Sequence, residues 1–293
     1  MFRAFQKASW RVTCVGFIGA LTFLMTANGK GRGQSPSEVQ VQKTAPVPPG
    51  GSRGMRSEPD PIDFDDTVGW TSMFDGKTLN GWDGDPDVWK VVDGAIVGDL
   101  PTPPAGSPPF RGTYLVWQGG EPANFEMKLE IKLEGPRADS GIQFRAFVAP
   151  TKQAPAGAQT LDRHQPKWNL GGYQFDLSLG NSQTSGLIGE VAGRGILAFP
   201  GQAVHTEADK NPRLIGILGD RKELGSYFKN DGWNQAYLIV RGDTMITILN
   251  NHVMAILIDG DATKARSNGL IGLQYSGTPC KISFRNIRIR MIP

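Results

Sequence analysis

Two stretches of the chain alternate apolar and polar residues with a period of two, the pattern of β-strands that have one apolar and one polar face. The apolar positions are Ile142, Phe144, Ala146 and Val148 in the first stretch and Tyr173, Phe175 and Leu177 in the second. The polar positions are Gln143, Arg145, Gln174 and Asp176. They predict either one shared polar surface or two plain solvated faces, because a polar outer face is usual in antiparallel sheets.

Other segments also predict strands. Residues 125–134 (FEMKLEIKLE) alternate without a break, and Asp93-Gly94 between two apolar runs indicates a tight hairpin turn. In residues 281–291 the apolar parity changes, and a one-residue bulge near Arg285-Asn286 would restore a single apolar face. No long helical pattern and no internal repeat occurs in the sequence. The chain is therefore predicted to form an all-β antiparallel β-sandwich, with lysine, arginine and proline at its edges.

The N-terminal region predicts a targeting segment and a linker. Three basic residues precede an apolar run that is shorter than the roughly 20 residues of a membrane-spanning helix. Residues 1–27 are expected to be a secretory signal peptide, with an uncleaved membrane anchor as the alternative. Residues 28–65 are rich in Pro, Gly and Ser and predict a disordered linker, which leaves residues 66–293 as the sandwich domain. The expected location is secreted, periplasmic or in the cell envelope.

Charge and cysteine content exclude several functional classes. Residues 1–27 contain three of the 31 basic residues and none of the 28 acidic ones, so the remainder carries 28 of each. This balance does not indicate a nucleic-acid partner. Cys280 is the single cysteine after residue 27, which excludes an intramolecular disulfide there. The sequence has no phosphate-binding glycine loop, no G-x-S-x-G motif and no zinc motif, and its three histidines (His164, His205 and His252) are scattered.

Carboxylates remain as candidates for chemistry. Glycosidases place two of them about 5–5.5 Å apart for retention or about 6.5–9.5 Å apart for inversion. Glu126 and Glu130 fail this requirement, because four residues along one strand span roughly 13 Å. A carboxylate pair would therefore have to join different strands. Asp176 and Glu190 are the best candidates, since they occupy polar positions of neighbouring segments.

An ordered set of motifs resembles the 3-keto-disaccharide hydrolase family. The motifs are FDGKTLNGW (74–82), SGIQFR (140–145), GYQFD (172–176), GLIGE with RG (186–195), and GLIGLQ followed by FRNI (269–287). Together they cover nearly all of residues 69–291, and the ordered set is more specific than any one motif. One departure is Gly189, which stands where the family usually has tyrosine.

The resemblance implies a concanavalin A-like jelly roll that acts on sugars whose 3-hydroxyl has been oxidised to a ketone. A ketone at C3 acidifies the hydrogen at C2, so that a base can remove it and the glycosidic oxygen can leave. Asp176 or Glu190 is the implied base, and Arg145, Arg194 or a bound divalent metal is the implied stabiliser of the enolate. The residues expected to bind the substrate are Gln143, Gln174, Trp168 and Gln274.

Two other functions fit the same sandwich, because fold alone does not determine function. The first is a non-catalytic, lectin-like carbohydrate-binding domain, which an exposed Trp117 or Trp168 beside a groove would favour. The second is a structural or adhesion domain displayed on the linker. For the enzyme and for the lectin-like domain the expected partner is a carbohydrate, and a membrane is expected as a partner only if the N-terminal segment is retained.

Overall fold

The structure is a computed structural model, and it describes six stretches of the chain. They are residues 62–100, 112–150, 166–179, 186–190, 194–277 and 280–293, without the side chains of Pro166, Ile188 and Glu190. The predicted signal peptide, most of the predicted linker and His164 lie outside the described residues. In those stretches, no helix is both long enough and apolar enough to cross a lipid bilayer.

Seventeen strands in the described stretches form two sheets. They are β1 (Thr71–Ser72), β2 (Trp82–Asp83), β3 (Trp89–Val92), β4 (Ala95–Asp99), β5 (Thr113–Trp117), β6 (Phe125–Glu134), β7 (Asp139–Val148), β8 (Leu170–Ser178), β9 (Leu187–Glu190), β10 (Gly195–Ala198), β11 (Gln202–Glu207), β12 (Arg213–Ile217), β13 (Asn234–Arg241), β14 (Thr244–Leu249), β15 (His252–Gly260), β16 (Leu270–Tyr275) and β17 (Lys281–Met291). A 3-10 helix, Pro166–Trp168, and a short helix α1, Arg221–Ser226, complete the described elements.

The larger sheet has ten strands in the order β12-β11-β15-β14-β13-β6-β17-β4-β3, with β1 added to β17. The smaller sheet has seven strands in the order β10-β9-β8-β7-β16-β5-β2. All described pairings are antiparallel except that of β11 with β15. Apolar residues of both sheets meet in one core, which includes Leu129, Phe144, Phe175 and Phe284. The predicted all-β antiparallel sandwich is confirmed.

Local sequence signals explain several of these elements. The hairpin turn predicted at Asp93-Gly94 joins β3 to β4, and both turn residues have positive φ (50° and 76°), as a tight hairpin turn requires. The bulge predicted near Arg285-Asn286 is also present. Asn286 has φ 53°, and the register of β17 against β6 shifts at this point. Phe284 and Ile287 are consequently both buried, although they have opposite parity.

Strand β6 confirms its predicted alternation but has one exception, Lys128. This residue lies on the outer face, yet it is only 2% exposed. Its ammonium group donates hydrogen bonds to the backbone oxygens of Asp63 and Asp66 and lies 4.6 Å from the ring centroid of Trp70. Burial lowers the pKa of Lys128, because desolvation disfavours its charged form. The segment around residues 63–70 therefore packs on this sheet, although the composition of the sequence predicts a linker up to residue 65.

A second bulge, which the sequence pattern did not reveal, changes strand β7. Arg145 has φ 43°, and the register against β8 shifts between Phe144 and Phe147. After this point the faces exchange, so that Ala146 leaves the core and joins Trp168 on the other side of the sheet. The prediction that Gln143 and Arg145 share a polar face is therefore wrong, because an extra residue in one strand reverses the alternation.

Gly172 and Gly269 make room for this bulge, and Gly172 allows a test. Gly172 has φ 145°, and a Cβ atom there would lie 2.8 Å from Cα of Ala146. Gly172→Ala is expected to lower the free energy of unfolding by about 3 kcal/mol, because both the backbone angle and the contact become strained. Urea unfolding would measure the loss. Gly76→Ala is the control, since Gly76 also has positive φ (75°) but a Cβ atom there would have nothing within 4 Å. Equal losses in both variants would contradict the packing argument.

Candidate functional site

The outer face of the seven-stranded sheet, which points away from the core, carries a group of polar side chains. Gln143 of β7 pairs in register with Gln174 of β8, and Asp176 pairs with Gly141. Gln143, Gln174 and Asp176 therefore lie on one face, as predicted. All three are buried, with at most 4% of any of them exposed. These are not plain solvated positions, and they form what we call the polar face.

The two glutamines leave one strong donor unused. Nε2 of Gln174 donates to Oε1 of Gln143 at 3.1 Å. Nε2 of Gln143 has no hydrogen-bond partner among the described residues, although it is buried. A buried amide without a partner costs about 1–3 kcal/mol, so such a group points to a function. Gly141 leaves space for this arrangement, because a Cβ atom there would lie 2.6 Å from Cδ of Gln174.

Aromatic residues border the polar face on the β5 side. Trp168 packs with Tyr114, Val116 and Leu170, and its Nε1 is a second buried donor without a described partner. Gln274 of β16 donates to the hydroxyl of Tyr114 at 3.1 Å. Trp168 is 7% exposed, so it is not the open stacking platform that a lectin-like surface would favour.

The backbone register places position 190 on the polar face but away from Asp176. Glu190 pairs with Gly172, whereas the backbone amide of Asp176 donates to Gly186 O at 3.2 Å. The two acidic positions are thus offset by four residues along the strands, roughly 13 Å. This backbone offset disagrees with the predicted close pair of carboxylates, which needs a separation of about 5–9.5 Å. Asp176 has a neighbour of its own strand, Ser178, whose Oγ donates to Oδ2 at 3.5 Å.

Arg145 and Arg194 do not join the polar face, contrary to the prediction of one convergent site. The Arg145 guanidinium donates to the backbone oxygens of Ala123 and Arg266. Arg194 forms a two-pronged ion pair with Asp259 of the larger sheet, with distances of 2.5 and 2.7 Å. Both arginines contact the inner side of the seven-stranded sheet near Tyr173. The β7 bulge and the contacts with the larger sheet, neither of which the alternation reveals, cause this placement.

Asp259 is the centre of this inner network. It accepts hydrogen bonds from Arg194, from Thr206 Oγ1 at 2.5 Å and from the hydroxyl of Tyr173. Burial alone would raise the pKa of Asp259, but the hydrogen bonds from Arg194, Thr206 and Tyr173 outweigh it and lower the pKa to about 2. Burial and the bond to Asp259 raise the pKa of Tyr173 to about 12. The network is therefore an ionised buried pair that ties the two sheets together.

The network also explains the departure at Gly189. This residue pairs with Tyr173 and belongs to the inner side of the sheet. A Cβ atom at position 189 would lie 2.7 Å from Cβ of Arg194, so Arg194 occupies the space of a larger side chain. The absence of a tyrosine here therefore removes no contact from the polar face.

A divalent metal remains a prediction. In the parts of the chain that the structure covers, no group of three or more His, Cys, Asp and Glu side chains is arranged so that it could hold a metal ion. The side chain of Glu190 is not among those described.

Comparison with known proteins identifies the family. The sequence profile of the 3-keto-alpha-glucoside-1,2-lyase-like domain matches residues 69–290. The chain belongs to this family. The match covers strands β7 and β8, which carry the polar face, and the inner network around Asp259. It extends through the two sheets from β1 almost to the end of β17. Membership of this family supports a carbohydrate-active function.

Individual relatives are more distant. A 3-keto-disaccharide hydrolase from Bacteroides thetaiotaomicron is 25% identical, and the alignment covers 88% of this chain and 89% of that protein. Among solved structures, a proposed glycosyl hydrolase from Parabacteroides distasonis is 16% identical with a TM-score of 0.47, covering 78% of this chain and 95% of that one. A carbohydrate-binding module from Bacillus subtilis is 10% identical with a TM-score of 0.42, covering 72% and 95%. The two structural similarities are too weak to bear on function.

Proposed function

We propose that the protein is an exported enzyme that cleaves 3-keto-glycosides by elimination, with the polar face as its active site. The observation that carries this proposal is the placement of Asp176 beside the unpaired Nε2 of Gln143 on adjacent strands. Diagonal neighbours of this kind are roughly 7–8 Å apart. A base and a hydrogen-bond donor at that separation can reach C2 and the 3-keto oxygen of one sugar ring.

The proposed reaction begins with removal of the C2 proton by the Asp176 carboxylate. The C–H electron pair forms an enolate, and the negative charge develops on the oxygen at C3. The enolate then re-forms the ketone, a C1–C2 double bond appears, and the C1–O bond breaks with its electrons on the glycosidic oxygen, which takes up a proton. Addition of water across the C1–C2 double bond would complete a net hydrolysis. Without that addition the enzyme is a lyase.

The side chains of the polar face suit these steps. Nε2 of Gln143 would donate to the oxygen at C3 as its charge develops, and a donor in a buried site stabilises such charge strongly. Gln174 holds Gln143 in place through its own amide. This assignment replaces Arg145 and Arg194, which lie on the inner side of the sheet. Only one carboxylate has to act at C2, which agrees with the long offset between positions 176 and 190.

The decisive experiment uses a 3-keto-disaccharide that carries deuterium at C2. We expect release of the second sugar together with loss of deuterium to solvent, and no cleavage of the unoxidised disaccharide. Cleavage with full retention of deuterium would contradict elimination. Binding of the disaccharide with no turnover, with or without added divalent metal, would favour the lectin-like alternative instead.

Gly141 provides a test of the glutamine pair. Gly141→Ala is expected to lower kcat for the 3-keto-disaccharide about tenfold, because the new methyl group displaces Gln174 and thereby moves Gln143, whose Nε2 stabilises the charge that develops on the oxygen at C3. Steady-state kinetics would measure the change. Gly225→Ala is the control, since nothing lies within 4 Å of a Cβ atom built there. An unchanged kcat in Gly141→Ala would exclude the proposed role of the pair.

Export is a separate part of the proposal and rests on residues 1–27. Their basic start and apolar run suit a cleaved signal peptide. N-terminal sequencing of the protein from the host's envelope fraction should begin after this segment. Recovery of the intact N-terminus from membranes would favour the retained anchor.

A further inference from the structure

A cavity of about 260 Å³ opens at one end of the sandwich, between the two sheets. The bulge of β7, the end of β15 and the turn between β13 and β14 surround it. Its lining residues include Arg145, Tyr173, Asp243, Met245, Asp259 and Arg266. Tyr173 belongs to the inner side of the seven-stranded sheet, whereas Gln174 and Asp176 belong to the outer side. The cavity is therefore separate from the polar face.

Arg145 is the unusual member of this lining. It is only 2% exposed, and its described partners are two backbone oxygens, those of Ala123 and Arg266. A guanidinium group has five N–H donors, so two of them remain unused. No described carboxylate forms an ion pair with it. A buried guanidinium without a direct ion pair is costly. Burial lowers the pKa of Arg145, the more distant carboxylates of Asp259 and Asp243 oppose this, and Arg145 stays protonated at neutral pH.

The neighbouring charged groups do not form a direct ion pair with Arg145. Asp259 lines the cavity, but Arg194, Thr206 and Tyr173 already occupy its carboxylate oxygens. Asp243 is exposed at the rim, where it accepts a hydrogen bond from Thr244 Oγ1 at 3.0 Å. The Arg266 guanidinium adds a second positive charge, and it lies over the ring of Phe147 at 4.8 Å. Met245 supplies an apolar part of the lining.

We infer that this cavity binds a small monocarboxylate, whose oxygens pair with the free N–H groups of Arg145. The planar fork of an arginine matches the two oxygens of a carboxylate, and such pairs are the stronger kind of hydrogen bond. A single negative charge would compensate Arg145, while a doubly charged anion would meet the nearby carboxylates of Asp243 and Asp259. The cavity volume suits a ligand the size of one sugar acid.

Isothermal titration calorimetry of the full chain with glucuronate tests the inference, and glucose serves as the uncharged analogue. We expect a Kd on the order of 1 mM for glucuronate and no measurable binding of glucose, as suits a ligand of this size. Inorganic phosphate should bind at least tenfold more weakly than glucuronate. Equal binding of phosphate, or of glucose, would overturn the inference.

Three variants locate the site. Ala265→Trp fills the mouth of the cavity without touching the buried charges, and it should abolish binding. Asp243→Asn removes the repulsive charge at the rim and should tighten binding about threefold. Asp176→Asn changes the polar face alone and should leave glucuronate binding unchanged. Binding that survives Ala265→Trp but is lost in Asp176→Asn would place the ligand at the polar face and overturn the inference, whatever the enzyme assay shows.

Discussion

Replacing Asp176 with asparagine is expected to lower kcat/KM for a 3-keto-disaccharide by about 10³-fold. General base catalysis contributes roughly 10²–10⁴-fold, and the amide of asparagine cannot take up the C2 proton. Because the substitution keeps the shape of the side chain, substrate binding should change much less than kcat. Loss of deuterium from C2 should slow by the same factor, since the variant lacks the group that removes the proton.

A matched control separates this effect from a change in fold. Asp99 lies in the ten-stranded sheet, where it forms an exposed ion pair with Lys90 at 3.6 Å. Asp99→Asn should keep full activity, and both variants should unfold at the same urea concentration as the parent to within experimental error. If Asp176→Asn retained more than a tenth of the activity while folded, Asp176 would not be the base.

The second large effect concerns stability. Asp259→Ala is expected to lower the free energy of unfolding by about 3–5 kcal/mol, because the buried guanidinium of Arg194 loses its two-pronged ion pair and keeps only the longer contact with Asp261 at 3.7 Å. Chemical denaturation at pH 7 would measure the loss. The exposed pair of Lys90 and Asp99 provides the comparison, and Asp99→Ala should cost less than about 1 kcal/mol. A loss below about 1 kcal/mol in Asp259→Ala would contradict the proposed structural role of the network.

The ionisation of Asp259 also makes the free energy of unfolding depend on pH. The pKa of Asp259 is about 2 in the folded protein and about 3.9 in an unfolded chain, so folding favours its ionised form. Its contribution is complete above pH 4 and is lost as the pH falls toward 2. The shift corresponds to at most about 2.5 kcal/mol. Asp259→Asn should remove this part of the pH dependence, which denaturation curves at pH 7 and pH 3 would show.

Local patterns predicted most of the strands and the bulge of β17, but not the bulge of β7. The alternation of residues 125–134 identified β6, and Asp93-Gly94 identified the β3–β4 hairpin. The bulge of β17 was visible because large apolar residues flank it, so that the change of parity appears in the sequence. The bulge of β7 was not visible, because Ala146 fits either face and the aliphatic part of an arginine tolerates burial. Its position depends on Gly172 of a neighbouring strand and Gly269, just before another.

Only some of the predicted site residues share one face of the sheet, because the local pattern does not show which face each side chain reaches. Sequence motifs placed Gln143, Gln174 and Asp176 on strands of known parity, and these three residues do share one face. The motifs also included Arg145 and Arg194, but a motif records which residues occur together along the chain and not which side of a sheet they reach. The partner of Arg194, Asp259, lies 65 residues away and belongs to no motif. Its one sequence signal is a carboxylate near the end of an apolar strand.

The sequence by itself determined the fold class, the family and the strands that carry the polar face, because period-two alternation and turn residues act over a few neighbouring positions. The tertiary structure alone decided which polar residues meet. In the folded protein, Nε2 of Gln143 is buried without a described hydrogen-bond partner. Position 190 is offset from Asp176 along the strands, and Arg145 and Arg194 lie on the inner side of the sheet. These outcomes depend on strand register and on contacts between the two sheets, which join residues far apart in the chain.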